Sequence, residues 1–285
     1  MTGTPAAAPA FPRSNTSPRS IASPRSPALP RTIAITGASS GLGAGLAASY
    51  AAPGRVLWLS GRDAVRLNAA AARCRDAGAT VHTDRVDVTD PAATAAWLHC
   101  AYDAGPVDLV LACAGVSAGT HPDGAPEGAA LAAMQVRTNL LGAMHTIEPL
   151  LPRLIARGAG HVAVVSSVAG LRGLPYSPAY SASKAGVRAY GEGLRALLRP
   201  RGVAVSVIVP GFFDTPMTDR FKGPKPGLMS LPRMVAAIRR GLDRRQARIV
   251  VPRMLATELV LADLIPAWAG DRILRSVRFH IEPGS

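Results

Sequence analysis

The chain has 285 residues, of which 48% are hydrophobic, 18% charged and 5% aromatic, and it carries a formal charge of +14 at pH 7. This composition suits a soluble globular protein with a core of Ala, Val, Leu and Ile, arranged as one large α/β domain or two small ones. No apolar run reaches the roughly 18 residues that span a bilayer, and the 29 Arg and 3 Lys are scattered without an aromatic-interleaved stripe or a zinc pattern, so no nucleic-acid partner is expected.

Residues 1–31 are rich in Pro, Ser, Ala and Arg, repeat SPRS at 17–20 and 23–26, and contain no Asp or Glu. Such a segment cannot bury a core and is expected to be a disordered tail rather than a secretory signal. From residue 32 the texture changes to short apolar stretches alternating with longer helical ones. The expected strands are 32–36, 55–60, 80–86, 107–112, 161–166, 203–209 and 248–251. The expected helices include 42–52, 64–77, 91–102, 128–148 and 179–199. Several strands are near-continuous apolar runs, the mark of strands covered on both faces. Repeated βα units of this kind predict a single Rossmann-type, doubly wound parallel sheet over 32–285.

The first strand runs into TGASSGLG at 36–43, and a helix follows. In that setting glycines let the backbone approach a pyrophosphate while the helix N-terminus faces its charge. Gly37, Ser39, Ser40, Gly41, Leu42 and Gly43 are therefore candidate cofactor-binding residues. Cys74, Cys100 and Cys113 are odd in number and widely spaced, so neither a disulfide framework nor a metal site is expected, and a reducing, cytoplasmic compartment fits best.

The stretch PYSPAYSASK at 175–184 holds two tyrosines and one of the three lysines. Pro178 disfavours helical geometry at Ser177, so a helix starting near Pro178 carries Tyr180 in its first turn and Lys184 one turn on. Tyr176 is left in the approach loop, as packing or as a substrate-pocket wall. An ammonium about 5 Å from a phenol favours phenolate by roughly 3 kcal/mol at an effective dielectric of 20, enough to bring Tyr180 into a useful range for proton transfer. In a chain that otherwise uses Arg, a lysine at this position is a further pointer to chemistry.

Taken together, these motifs resemble the short-chain dehydrogenase/reductase family. Thr-Gly-x3-Gly-x-Gly is matched by Gly37, Gly41 and Gly43. Asp87-Val88, Ala114-Gly115, Asn139, Ser167, Tyr180-x3-Lys184 and Pro210-Gly211 with Thr215 follow in the family's order, over about 32–251. The resemblance implies Asn139, Ser167, Tyr180 and Lys184 as the catalytic residues. Ser167 would bind the substrate carbonyl, Asn139 would hold a proton-relaying water, and Lys184 would reach the nicotinamide ribose. It implies cofactor contacts at Asp87, Val88, Ala114, Gly115, Pro210, Gly211 and Thr215. Where the family commonly has Asn-Ala-Gly, this chain has Cys113-Ala114-Gly115, which puts a structural hydrogen bond in doubt and suggests a small buried residue instead.

At the end of the second strand Gly61 takes the place of the acid that binds a ribose 2′-hydroxyl, and Arg62 follows at once. A guanidinium suits a 2′-phosphate, so NADP(H) is the expected cofactor, with NAD(H) second. Asp63 more naturally begins the next helix. The expected reaction interconverts a ketone or aldehyde and an alcohol. A nucleotide-sugar epimerase or dehydratase shares the Tyr-x3-Lys pair but uses a different glycine loop and a longer C-terminal domain. A non-catalytic dinucleotide-binding protein would not be expected to keep Ser, Tyr and Lys together.

The Pro- and Gly-rich stretch 211–230 reads as a mobile lid, with Phe212 among the side chains offered to an apolar or amphiphilic carbonyl substrate. The apolar stretch 254–268 is expected to pack on the pocket or on another subunit, with contact to an anionic membrane surface as the second reading. Family members are mostly dimers or tetramers, which implies a homodimer or homotetramer here.

Overall fold

The computed structural model describes residues 29–120, 125–254, 266, 268–269, 271–272 and 280–281. The tail before residue 29 and nearly all of 254–268 thus lie outside the described residues. Among the described residues no helix is long and apolar enough to cross a membrane, and no cluster of His, Cys, Asp and Glu could hold a metal ion.

Seven strands, β1 (Thr32–Thr36), β2 (Val56–Gly61), β3 (Thr80–Arg85), β4 (Leu109–Ala112), β5 (Gly160–Val165), β6 (Val203–Pro210) and β8 (Arg248–Val251), form one sheet in the order β3-β2-β1-β4-β5-β6-β8. Every pairing in it is parallel. Alternate residues face opposite layers. Ala34, Trp58, Val110, Val162 and Val207 belong to one core, and Ile33, Leu57, Leu109, Ala163 and Ile208 to the other. Burial on both faces is why these strands read as apolar runs rather than as alternating patterns.

Helices α1 (Gly41–Tyr50), α2 (Ala64–Asp76) and α9 (Leu231–Asp243) cover one face. The other is covered by α3 (Pro91–Asp103), α5 (Gly142–Ile147), α6 (Leu151–Arg157) and α7 (Pro178–Leu198). Helix α7 lies close on the sheet because Gly191 has no side chain. A Cβ there would sit 2.7 Å from methyl groups of both Val164 and Val207. The helix expected over 128–148 is not a single regular one. Helix α4 (Gly128–Val136) passes through a π-helical turn, Arg137–Leu141, into α5, and a 3-10 turn, Glu148–Leu150, leads on to α6. Helix α9 was not among the expected elements.

The chain order reverses between β1 and β4, which leaves a crevice beyond the carboxyl ends of these strands. In register, Thr36 lies beside both Ser60 and Ala112, so the loops after β1, β2 and β4 emerge side by side at the crevice. Two short pieces roof its far end. Helix α8 (Pro216–Asp219) precedes strand β7 (Phe221–Lys222), which pairs antiparallel with β9 (His280–Ile281) from near the C-terminus.

Candidate active site

A cleft of about 940 Å³ runs across the crevice, from Arg62 and Asp87 at one end, past Tyr180 and Lys184, to Phe221 and Ile281 at the other. Its first wall is the glycine loop. Gly37 and Gly41 adopt positive φ, 68° and 52°, which favours glycine over other residues. A Cβ on Gly43 would lie 2.3 Å from the Gly37 carbonyl oxygen, and one on Gly37 would lie 2.6 Å from the Ala114 Cα. The loop is therefore drawn tight against the β4 end. Ser39, Ser40, Gly41, Leu42 and Gly43 all line the cleft, and Ser40, at the N-cap of α1, makes no side-chain cap bond. A narrow backbone cradle opening at a helix N-terminus fits the pyrophosphate of a dinucleotide.

Beyond β2, Gly61 is buried, and a Cβ on it would lie 3.1 Å from the Ser39 side chain, so a larger residue would crowd the loop. Arg62 lines the cleft and is exposed. Asp63 caps α2 by accepting from the Arg66 N–H at 2.9 Å and pairs with the Arg66 side chain at 2.7 Å, which gives it the helix-starting role expected from sequence. Arg66 also lines the cleft, and Arg85 Nε donates to the Arg62 carbonyl at 3.1 Å. The sequence reading missed these two arginines. The i, i+4 spacing of Arg62 and Arg66 was the available signal for Arg66, whereas the pairing of Gly61 with Arg85 exists only in the folded sheet. Asp87 is held by the Thr89 N–H and hydroxyl, both at 2.9 Å, and buried Val88 packs against Gly142.

In the middle of the cleft the two serines divide their roles. Ser166 is buried, and its hydroxyl donates to the Lys184 carbonyl at 2.7 Å, tying β5 to α7. Ser167 faces the cleft, accepts from the Ala169 N–H at 3.1 Å and shares a hydrogen bond with the Tyr180 hydroxyl. Lys184 Nζ lies 5.8 Å from the Tyr180 ring centroid and donates to the Val165 carbonyl at 2.9 Å.

The electrostatics depart from the sequence argument. Burial raises the Tyr180 pKa above its ordinary value, and the Ser167 hydrogen bond offsets this only in part. Burial also lowers Lys184 to about 8, so the ammonium that was to draw the phenol down is itself disfavoured. Desolvation outweighs the charge of the neighbour in this state. Cys113, where the family motif has Asn, is pushed up to about 12 by burial and stays a protonated thiol.

Asn139 sits in the π turn, the kind of local widening that recurs at functional sites. Its side chain brackets Val116, accepting from its N–H at 2.8 Å and donating to its carbonyl at 2.9 Å, and also donates to the Ser183 hydroxyl at 2.9 Å. It therefore joins the loop after β4 to α7. In that loop, Ala114 and Gly115 line the cleft, and a Cβ on Gly115 would lie 3.2 Å from Asn139 Oδ1 and 3.4 Å from Lys184 Nζ.

Pro210, Gly211, Phe212 and Thr215 all line the cleft. Thr215 caps α8 through the Thr218 N–H at 3.2 Å, and a Cβ on Gly41 would meet its methyl at 3.4 Å. Tyr176 is not among the lining residues. Its carbonyl instead accepts from the Thr120 N–H at 3.0 Å, in the approach to α7. The far end is walled by apolar side chains such as Leu174, Phe212, Met217, Phe221 and Ile281, with no charged side chain among the described lining residues there. The Phe212 and Phe221 rings pack tilted against each other, 4.9 Å between centroids.

Comparison with known proteins agrees with this fold. Residues 31–225 match the short chain dehydrogenase family. An uncharacterized oxidoreductase of Myxococcus xanthus is 37% identical over 248 residues, 87% of this chain and 97% of that protein. A short-chain dehydrogenase from Sphingobium yanoikuyae, solved in complex with NADPH, superposes with a TM-score of 0.71 at 29% identity, covering 87% of this chain and 96% of that one. A short chain dehydrogenase/reductase from Burkholderia phymatum, solved in complex with NAD, gives a TM-score of 0.72 at 25% identity, covering 90% and 98%. The chain belongs to the short chain dehydrogenase family and is an NAD(P)-dependent oxidoreductase of that family.

Proposed function

We propose that the protein is an NADP(H)-dependent oxidoreductase that interconverts an apolar ketone or aldehyde and its alcohol, with Tyr180 as the proton-transfer group. The observation that carries this reading is the hydrogen-bonded Ser167–Tyr180 pair beside Lys184, at the point where the polar end of the cleft meets its apolar end. A nicotinamide held in this cleft would supply a hydride to the carbonyl carbon, or accept it in reverse. Ser167 donates a hydrogen bond to the carbonyl oxygen. Tyr180 Oη gives its proton to that same oxygen as negative charge develops on it. The raised pKa of Tyr180 keeps that proton in place at neutral pH.

Residues of the glycine loop would hold the pyrophosphate, Asp87 and Val88 the adenine, and Lys184 the nicotinamide ribose. Arg62, with Arg66 one turn on, supports a 2′-phosphate and hence NADP(H) over NAD(H). The uncharged walls around Phe212, Phe221 and Ile281 favour a substrate without a charged group next to the carbonyl. The test is a set of aryl, alkyl and cyclic ketones, with and without a carboxylate, followed by NADPH and NADH absorbance. Reduction of the uncharged ketones with NADPH is the expected result. Activity confined to keto acids, or to NADH, would contradict it.

A further inference from the structure

The start of the helix that carries Tyr180 is capped from a distant part of the chain. Pro178 opens α7 and has no N–H, so the Ala179 N–H, immediately before Tyr180, is the first backbone donor of the helix. The local cap candidate, Ser177, makes no cap bond, and its hydroxyl donates to the Ala118 carbonyl at 2.9 Å instead. The Ala179 N–H is taken by Glu127 Oε1 at 2.9 Å. Glu127 Oε2 accepts from Gln135 Nε2 at 2.6 Å, and Gln135 Oε1 accepts from the Ala118 N–H at 2.9 Å. Both side chains are buried.

The direction of this relay is dictated by its ends. Both are backbone N–H groups, which can only donate. Gln135 must therefore turn its oxygen to Ala118 and its NH2 to Glu127, so that both Glu127 oxygens face donors. A carboxylate satisfies this arrangement. An amide at 127 would set NH2 against NH2 or leave the Ala179 N–H without its acceptor, and an unmade buried hydrogen bond is costly.

The relay links two walls of the site. Ala118 follows Val116 and Ser117, which line the cleft, and Val116 is held by Asn139. Ala179 precedes Tyr180, and Ser183, three residues beyond Tyr180, is also held by Asn139. Glu127, Gln135 and Asn139 thus fix the loop after β4 and the first turns of α7 at one separation. We propose that Glu127, acting with Gln135, positions Tyr180 for proton transfer. Glu127 is a positioning residue, since neither it nor Gln135 is among the residues lining the cleft. The proposal rests on Tyr180 being the proton-transfer group.

The test compares Glu127→Gln with the exchanged pair Glu127→Gln/Gln135→Glu, with Tyr180→Phe alongside. In the exchanged pair, the carboxylate now at position 135 accepts from the Ala118 N–H and from the amide NH2 now at position 127. The oxygen of that amide accepts from the Ala179 N–H, so all three hydrogen bonds return with the charge moved. The readouts are kcat and KM for an uncharged ketone with NADPH, the NADPH Kd by fluorescence, and amide hydrogen exchange across residues 177–184. Glu127→Gln should lower kcat on the order of ten- to a hundredfold, as expected for a misplaced reacting group. It should speed exchange at Ala179 and leave the NADPH Kd within about twofold. The exchanged pair should restore both kcat and protection.

Wild-type kcat in Glu127→Gln overturns the proposal, as does a folded exchanged pair with kcat still low, or a parallel loss of NADPH binding. Should Glu127→Gln fail to fold, the exchanged pair alone decides, by the recovery or loss of its kcat. Full turnover in Tyr180→Phe would bring down the proton-transfer reading and the proposal with it. An inactive Tyr180→Phe beside an unaffected Glu127→Gln removes only the proposal.

Discussion

At the glycine-loop end of the cleft, position is set by backbone. Gly37 and Gly43 leave no room for a Cβ, Gly41 holds a positive φ, strand register brings the loops after β1, β2 and β4 together, and the charged groups Arg62, Arg66 and Asp87 stand at the rim. At the lid end, position is set by side chains. Phe212 against Phe221, and the two-residue pairing of β7 with β9, close a wall whose described cleft-lining side chains carry no charge. Glycine spacing can hold one ligand chemistry, a pyrophosphate, with little latitude. Apolar packing on short, sequence-distant strands can be altered without disturbing the sheet. The first end suits a shared cofactor and the second a particular substrate, and Tyr180 stands where they meet.

This contrast can be broken at several points. Ser167→Ala sits at the junction and should lower kcat about 10²- to 10³-fold, as for loss of one donor to a developing oxyanion. Cofactor affinity should be unchanged, and a joint loss would show that the two ends are not separable. Lys184 tests the junction through stability. It titrates at about 8 when folded, against an ordinary value of 10.5, so the native state resists its charge by about 3 kcal/mol. Between those pH values the unfolded chain holds the extra proton, so wild type should gain stability relative to Lys184→Met as pH rises from 8 to 10.5. Denaturant melts of both proteins across that window check the sign, and a constant difference would refute the burial argument.

Arg62→Ala addresses the cofactor end alone. It should weaken NADPH about tenfold and leave NADH unaffected, as expected for loss of a charge-assisted contact to a 2′-phosphate. Equal effects on both cofactors would remove Arg62 from phosphate recognition. Ile281→Ala addresses the lid end. It should raise KM for an apolar ketone several-fold, about 1 kcal/mol of lost apolar contact, at unchanged kcat and unchanged NADPH affinity.

The cofactor end was largely legible in the sequence because its signals are local. A glycine spacing, an apolar run and a Tyr-x3-Lys pair each sit within a few residues. Pro178 opens α7, so Tyr180 lies within the helix and Tyr176 before it, and the pocket-wall place considered for Tyr176 is not the one it takes, since it lies outside the cleft lining. Helix α9 also carries a helical stripe, Met234, Val235, Ile238 and Leu242, all buried, but the Pro- and Gly-rich chain before it masks its start. What could not be read depends on contacts between distant residues. Strands β7 and β9 have two residues each and about 60 residues between them. The capping of α7 by Glu127 spans 52 positions. The reversal of the expected Tyr180 shift has the same origin, since burial is a property of the assembled fold and no spacing in PYSPAYSASK reveals it.

The measurement that bears most directly on the account is steady-state reduction of an uncharged ketone by Tyr180→Phe, paired with NADPH binding to the same variant. Phenylalanine keeps the ring and removes only the hydroxyl hydrogen-bonded to Ser167. The account predicts turnover reduced by roughly 10²- to 10⁴-fold, the contribution of a positioned proton donor, with the NADPH Kd unchanged. Near-wild-type turnover in a variant that binds NADPH normally would contradict it.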